Sequence, residues 1–113
     1  MRDPATVRAV GADIELVIVT MRFDTADPAA LEAVLSKYVV LTRMQDGCRN
    51  IDLCASQTRP GRYLVIEKWD SIEAHQAHLD GAVMVETAQA CTGVLTGPPD
   101  IDRWDGPSAH DLA

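Results

Sequence analysis

Apolar and polar positions along this chain follow two periods, that of a strand and that of a helix. Ile14, Leu16 and Ile18 fall on one side of an extended run and Val17, Val19, Met21 and Phe23 on the other, which predicts a first strand from Ile14 to Phe23. Both of its faces are apolar, the pattern of a central strand covered on each side. Asp27-Pro28 then starts a helix, with Asp27 as N-cap and Pro28 at the first helical position, where a missing N–H costs nothing. Leu31, Val34, Leu35, Tyr38, Leu41 and Thr42 recur at helical spacing, and Gly47 is a plausible C-terminal breaker. A second strand spans about Cys48 to Ser56, with Ile51, Leu53 and Ala55 opposite Asn50, Asp52, Cys54 and Ser56; one polar face places it nearer a sheet edge.

Thr58-Arg59-Pro60-Gly61 is turn chemistry and makes strands two and three a hairpin. In the third strand, Arg62 to Trp69, period two sets Tyr63, Val65, Glu67 and Trp69 on one face and Leu64, Ile66 and Lys68 on the other. Asp70 or Ser71 caps a second helix, with Glu73 completing a capping box, and this helix runs to about Leu79 and breaks at Gly81. A shorter helical piece follows from Ala82 to about Ala90, then a Gly/Pro-rich connector and a last strand over Asp100 to Trp104. Residues 1–12 read as a loose arm, 13–105 as one domain and 106–113 as a polar, frayed tail.

The order β-α-β-β-α-β with right-handed crossovers predicts an α+β, ferredoxin-like antiparallel sheet with its helices on one face. Strands one and three are apolar on both faces, and helices cover only one of them. An open apolar face above roughly several hundred Å² calls for a partner, and a homodimer packed sheet face to sheet face, a dimeric α/β barrel, is the economical solution.

Composition narrows the partners. The 113 residues are 47% hydrophobic and 24% charged, the balance of a folded single domain. A net charge of −7 repels phosphate backbones and anionic lipid, so nucleic acid and membrane are excluded as partners. Met1-Arg2-Asp3-Pro4 leads into no long apolar run, which reads as neither secretory signal nor membrane span, hence a cytoplasmic protein. Cys48, Cys54 and Cys91 are an odd number at no metal spacing and read as small buried hydrophobes.

The chemistry gathers between Glu67 and His78. Glu67-x-Trp69-x-Ser71-x-Glu73-Ala74-His75-x-x-His78, at a strand-to-helix junction, resembles the antibiotic biosynthesis monooxygenase family of the dimeric α/β barrel superfamily, over about Ile14 to Trp104 and including Gly47-Cys48. The resemblance implies a homodimer with a pocket between sheet and helices in each subunit. It also implies oxygenation of electron-rich aromatics, such as quinols, naphthols and anthrones, by O₂ without flavin, metal or haem. A phenolate-type carbanion passes an electron to O₂ unaided, so the protein need only bind the substrate, remove a proton and stabilise an oxyanion. No Gly-rich dinucleotide loop or metal-spaced cluster is present to set against a cofactor-free scheme.

At the family's tryptophan position, Trp69 is expected to donate its indole N–H to a substrate oxygen and to wall the pocket, or else to pin helix to sheet. His78 matches the motif's final histidine and suits a general base, or else it is a structural histidine bonded to Glu67 or backbone. His75 lies one turn earlier; with His78 and Glu67 it offers a weak divalent-metal pattern, and no metal is assigned. Glu67 either orients His78 or, as favoured here, pairs with Arg22 or Arg62. Arg22 and Tyr38 are further candidates for the pocket rim, against a surface arginine and a core tyrosine.

Two departures qualify the resemblance. Polyketide-oxidising members carry an asparagine four residues before the tryptophan and a tyrosine six after it, where this chain has Val65 and His75. Haem-degrading relatives need an axial histidine after the second helix and an asparagine on the first strand, and Ala82 to Ala90 and Ile14 to Phe23 supply neither. The two expectations are therefore a cofactor-independent monooxygenase acting on a quinol or polycyclic phenol, and a non-catalytic dimeric binding or regulatory module of the same fold.

Overall fold

Backbone pairing follows the predicted periods closely. In the computed structural model, which describes residues 13–112, strands β1 (Asp13–Asp24), β2 (Cys48–Ala55), β3 (Arg62–Trp69) and β4 (Asp100–Leu112) form a four-stranded antiparallel sheet in the order β2-β3-β1-β4. Helices α1 (Pro28–Arg43), α2 (Ile72–Leu79) and α3 (Ala82–Ala90) complete an α+β, ferredoxin-like fold. The loose arm expected over residues 1–12 lies outside the described residues.

Register decides which side chains share a face. Val17 stands opposite Trp69, Val19 opposite Glu67, Met21 opposite Val65 and Phe23 opposite Tyr63, so these eight point to the same side of the sheet. There Val19, Met21, Phe23, Ile51, Val65 and Trp69 meet Leu31, Leu35, Tyr38 and Val39 of α1 in one core. The opposite face presents Ile18, Leu64 and Ile66, each half-buried, and Trp104, which is 52% exposed and donates its indole N–H to Thr20 Oγ1 at 2.9 Å.

Local signals set the helix positions. The Asp27 carboxylate accepts from the Ala30 N–H at 3.2 Å with Pro28 starting α1, and Ser71 Oγ accepts from the Ala74 N–H at 3.1 Å to start α2. Gly47, at φ +84°, turns the chain from α1 into β2 under α2. A Cβ there would lie 2.5 Å from the Ala74 Cβ, so only glycine fits.

Two expectations need correction. The last strand does not stop at Trp104 and fray; it continues to Leu112 beside β1, with Asp13 opposite Leu112 and a register shift between Glu15 and Val17. Side-chain polarity and Pro107 hid it, because an edge strand is held by backbone hydrogen bonds that need no apolar side chain, and the register shift, from Asp105 opposite Val17 to His110 opposite Glu15, accommodates the proline. Of the three thiols only Cys91 is buried; Cys54, opposite Leu64 on the edge strand β2, faces away from the helices and is exposed, while the register shift between Cys48 and Asn50 sets Cys48 opposite Trp69 on the helix side, half-buried against the core.

Candidate functional site

Period two on β3 aims Glu67 and Trp69 beneath the helices, and helical spacing brings Tyr38 from α1 and His75 and His78 from α2 over them. All five are buried. The Trp69 indole N–H donates to Glu67 Oε1 at 2.8 Å, Glu67 Oε2 lies 2.6 Å from the Tyr38 hydroxyl, and that hydroxyl lies 2.8 Å from His78 Nε2. The Trp69 and His78 rings pack with centroids 4.8 Å apart, and His75 sits 5.8 Å from Trp69 and 6.5 Å from His78. Nδ1 of His75 and Nδ1 of His78 are buried and have no hydrogen-bond partner.

Burial governs the protonation of this chain of groups. It pushes the Glu67 carboxyl up, against the bonds from Tyr38 and Trp69 that favour its anion. The His78 imidazole is held down at about 4 by burial first and by His75 second. His75 is lowered by burial and by the Arg103 guanidinium. The Tyr38 hydroxyl is raised by burial and by Glu67, and so keeps its proton.

An apolar cavity of about 230 Å³ adjoins this cluster, between the β1–β4 half of the sheet and α3. Met21, Phe23, Met84, Cys91, Leu95 and Ile101 are among its walls. Next to its wall residue Leu95, Thr25 Oγ1 donates to the Val94 carbonyl at 2.6 Å and the Thr96 N–H donates to the Asp24 carbonyl at 2.9 Å, which fastens the connector after α3 to the end of β1. Met21 belongs to both regions: it lines the cavity, and its Sδ lies 3.6 Å from the Tyr38 hydroxyl. A second recess, polar and of about 280 Å³, is lined by Met44, Gln45, Asp46, Ala74, Ala77 and His78.

The predicted residues thus divide. Glu67, Trp69, Tyr38, His75 and His78 come together, and Val65 is packed in the core between Met21 and Leu53. Arg22 lies on the opposite face of the sheet, 3.4 Å from Asp100. The expected ion pair between Glu67 and Arg22 or Arg62 does not form, because Arg62 binds Asp24 at 2.8 Å and Glu67 points to the other side. The Trp69 N–H is committed to Glu67, so it does not face a cavity, and Trp69 is no wall of the apolar one. Among the described residues no three His, Cys, Asp or Glu side chains converge as a metal-holding group. Sequence reasoning passed over Met21 and the cavity walls on α3 and β4; the shared parity of Val19, Met21 and Phe23 was the available signal for the first.

Comparison with known proteins bears on the whole arrangement. The family model described as antibiotic biosynthesis monooxygenase matches residues 16–90. A search of curated proteins returned no match. Among solved structures, SnoaB, a cofactor-independent oxygenase from Streptomyces nogalater, superposes with a TM-score of 0.75 at 19% identity, covering 84% of this chain and 96% of its own. Rv0793 from Mycobacterium tuberculosis superposes with a TM-score of 0.75 at 27% identity, over 83% of this chain and 97% of its own. A putative antibiotic biosynthesis monooxygenase from Caulobacter crescentus gives 0.75 at 21% identity, over 88% and 97%. No helix among the described residues is long and apolar enough to cross a membrane.

Proposed function

This chain belongs to the antibiotic biosynthesis monooxygenase family, and on that premise we propose that it is a cofactor-independent monooxygenase oxidising a quinol or a polycyclic phenolic or anthrone-type aromatic with O₂. The observation that carries the reading is the apolar cavity whose wall, Met21, touches the buried Tyr38 hydroxyl. For an anthrone-type substrate, loss of a proton from the ring CH₂ leaves a delocalised carbanion. It passes one electron to O₂, and the radical and superoxide combine as a peroxide anion. Reprotonation and loss of water leave a carbonyl, so one oxygen atom stays in the product and the other departs as water.

The protein's part is to bind the ring in a dry site and to handle one proton. His78 is the base of this reading, neutral at physiological pH because burial holds it down, and it meets the cavity through Tyr38 when the flexible Met21 side chain turns aside. Trp69 serves by fixing Glu67 rather than by binding substrate. Oxygen-electrode measurements with hydroquinones, dihydroxynaphthalenes and anthrones test this. Uptake should appear with at least one class, vanish in His78→Ala and persist in His110→Ala.

One observation favours a second reading, a non-catalytic binding module: Trp69 and Glu67 satisfy each other, and Met21 closes the cavity from them. Saturable binding with no oxygen uptake across the panel would select it. In either case the proposal includes a homodimer through the sheet face that carries Ile18, Leu64, Ile66 and Trp104. Light scattering at micromolar concentration should give twice the chain mass, and a monomer would refute the dimer.

A further inference from the structure

We infer that Glu67, Tyr38 and His78 form a proton wire, in which the buried Glu67 carboxyl stores a proton, Tyr38 relays it and His78 is the port to the polar recess beside Gln45 and Asp46. Its use in turnover rests on the oxygenase reading; its existence does not.

The wire follows from counting protons. The Trp69 N–H only donates, so it occupies Glu67 Oε1 in every state. Tyr38 has one proton to give and lies between Glu67 Oε2 at 2.6 Å and His78 Nε2 at 2.8 Å. Two arrangements of neutral His78 make both bonds. In one, Glu67 is ionised, Tyr38 donates to Glu67, and His78 carries its proton on Nε2 and donates to Tyr38. In the other, Glu67 is protonated and donates to Tyr38, Tyr38 donates to His78 Nε2, and the His78 proton sits on Nδ1. The second contains one more proton than the first. Placing that proton on His78 Nδ1 and shifting two others, Nε2 to Tyr38 and Tyr38 to Glu67, converts one into the other with no heavy atom moving.

The surroundings match these roles. His78 Nδ1 is buried and is the uncommitted end of the chain, and His78 is among the residues that line the recess. Burial disfavours charge on both terminal groups, raising Glu67 and lowering His78, so the added proton rests on the carboxyl rather than the imidazole. The other titratable groups around the wire are His75 on α2, Arg103 on β4 acting on His75, Cys48 on β2, and Asp46 in the recess. The Cys48 thiol, pushed up to about 11 by burial and by Glu67, stays neutral.

Long-range ¹H–¹⁵N correlation of the ¹⁵N-histidine-labelled full chain reads the His78 tautomer across pH, and infrared difference spectra read the Glu67 carboxyl carbonyl, identified by its loss in Glu67→Gln. The expected result is a switch of neutral His78 from Nδ1–H to Nε2–H at the same midpoint at which the Glu67 band disappears. Glu67→Gln should hold one tautomer at all pH, and Tyr38→Phe should uncouple the two titrations. A wild-type His78 that keeps one tautomer while Glu67 titrates, or that protonates at an ordinary histidine pH, overturns the wire, whether or not the variants fold. If the panel above shows oxygen uptake, Tyr38→Phe should lower kcat at least tenfold with KM little changed. Absence of uptake in the wild type would sink the oxygenase reading and leave the tautomer result standing.

Discussion

Two regions under the same face of the sheet are built in opposite ways. Toward β3, beneath α1 and α2, Trp69, Glu67, Tyr38 and His78 are each no more than 2% exposed and bonded to one another. Toward β4, beneath α3, there is an apolar cavity, and α3 itself buries no residue fully and has no side-chain N-cap. Position is held in the first region and room is left in the second. A site that must order a proton chain and also admit a ligand needs both, because packing that fixes rotamers also excludes ligand. Met21 stands on the boundary.

The comparison breaks most directly at Glu67. Glu67→Ala strands the Trp69 N–H in a buried site, leaves a void beside it and takes from the Tyr38 hydroxyl one of its two partners, and should lower urea-unfolding stability by roughly 2–4 kcal/mol. Met84→Ala, on the cavity wall, should cost about 1 kcal/mol. Equal losses would show that the two regions are packed alike.

Gly47 tests how tightly α2 is seated over the polar cluster. Gly47→Ala combines a left-handed backbone penalty of roughly 1–2 kcal/mol with a contact on Ala74, and a total loss of about 2–3 kcal/mol is expected. A neutral substitution would mean that α2 shifts freely.

The pH dependence of stability sharpens the electrostatic side of the contrast. His78 and His75 are depressed in the fold, so their contribution is complete above the unfolded histidine value, about 6.5. It is lost as pH falls toward about 4, the value at which His78 is held. Each proton taken up on unfolding gives a slope of about 1.4 kcal/mol per pH unit. Glu67 is raised, so its contribution is complete below the unfolded glutamate value and is lost as pH climbs through its folded one. Urea midpoints against pH should therefore fall on both sides, with the acid limb flattened in His78→Gln and the alkaline limb in Glu67→Gln.

The smallest expected effect on stability comes from filling the cavity. Ala88→Phe should change unfolding free energy by no more than about 1 kcal/mol while weakening binding of a dihydroxynaphthalene at least tenfold, as read by tryptophan fluorescence. Unchanged binding would place the ligand elsewhere.

Much of this was legible from residue patterns. Asp27-Pro28, Ser71, Gly61 and the helix over Ala82 to Ala90 stand where local chemistry put them. So does the shared face of Glu67 and Trp69. Parity bears on one pair as well: Arg62 and Glu67 differ by an odd number of positions on one strand, so the strand period alone excludes a Glu67–Arg62 pair. The run of β4 past Trp104 was not legible, since its polar residues are held by backbone bonds to β1.

By itself the sequence determined the elements, their order, the sheet's two faces and the motif that places the chain in its family, because turn chemistry, capping and periodicity act within a few residues. Only the tertiary structure decided that the Tyr38 hydroxyl sits between Glu67 and His78, that the Trp69 N–H is spent on Glu67, and that a cavity lies beside Met21. Those facts depend on groups from α1, α2 and β3 meeting within about 3 Å, a distance at which helix rotation over the sheet matters and no local pattern speaks.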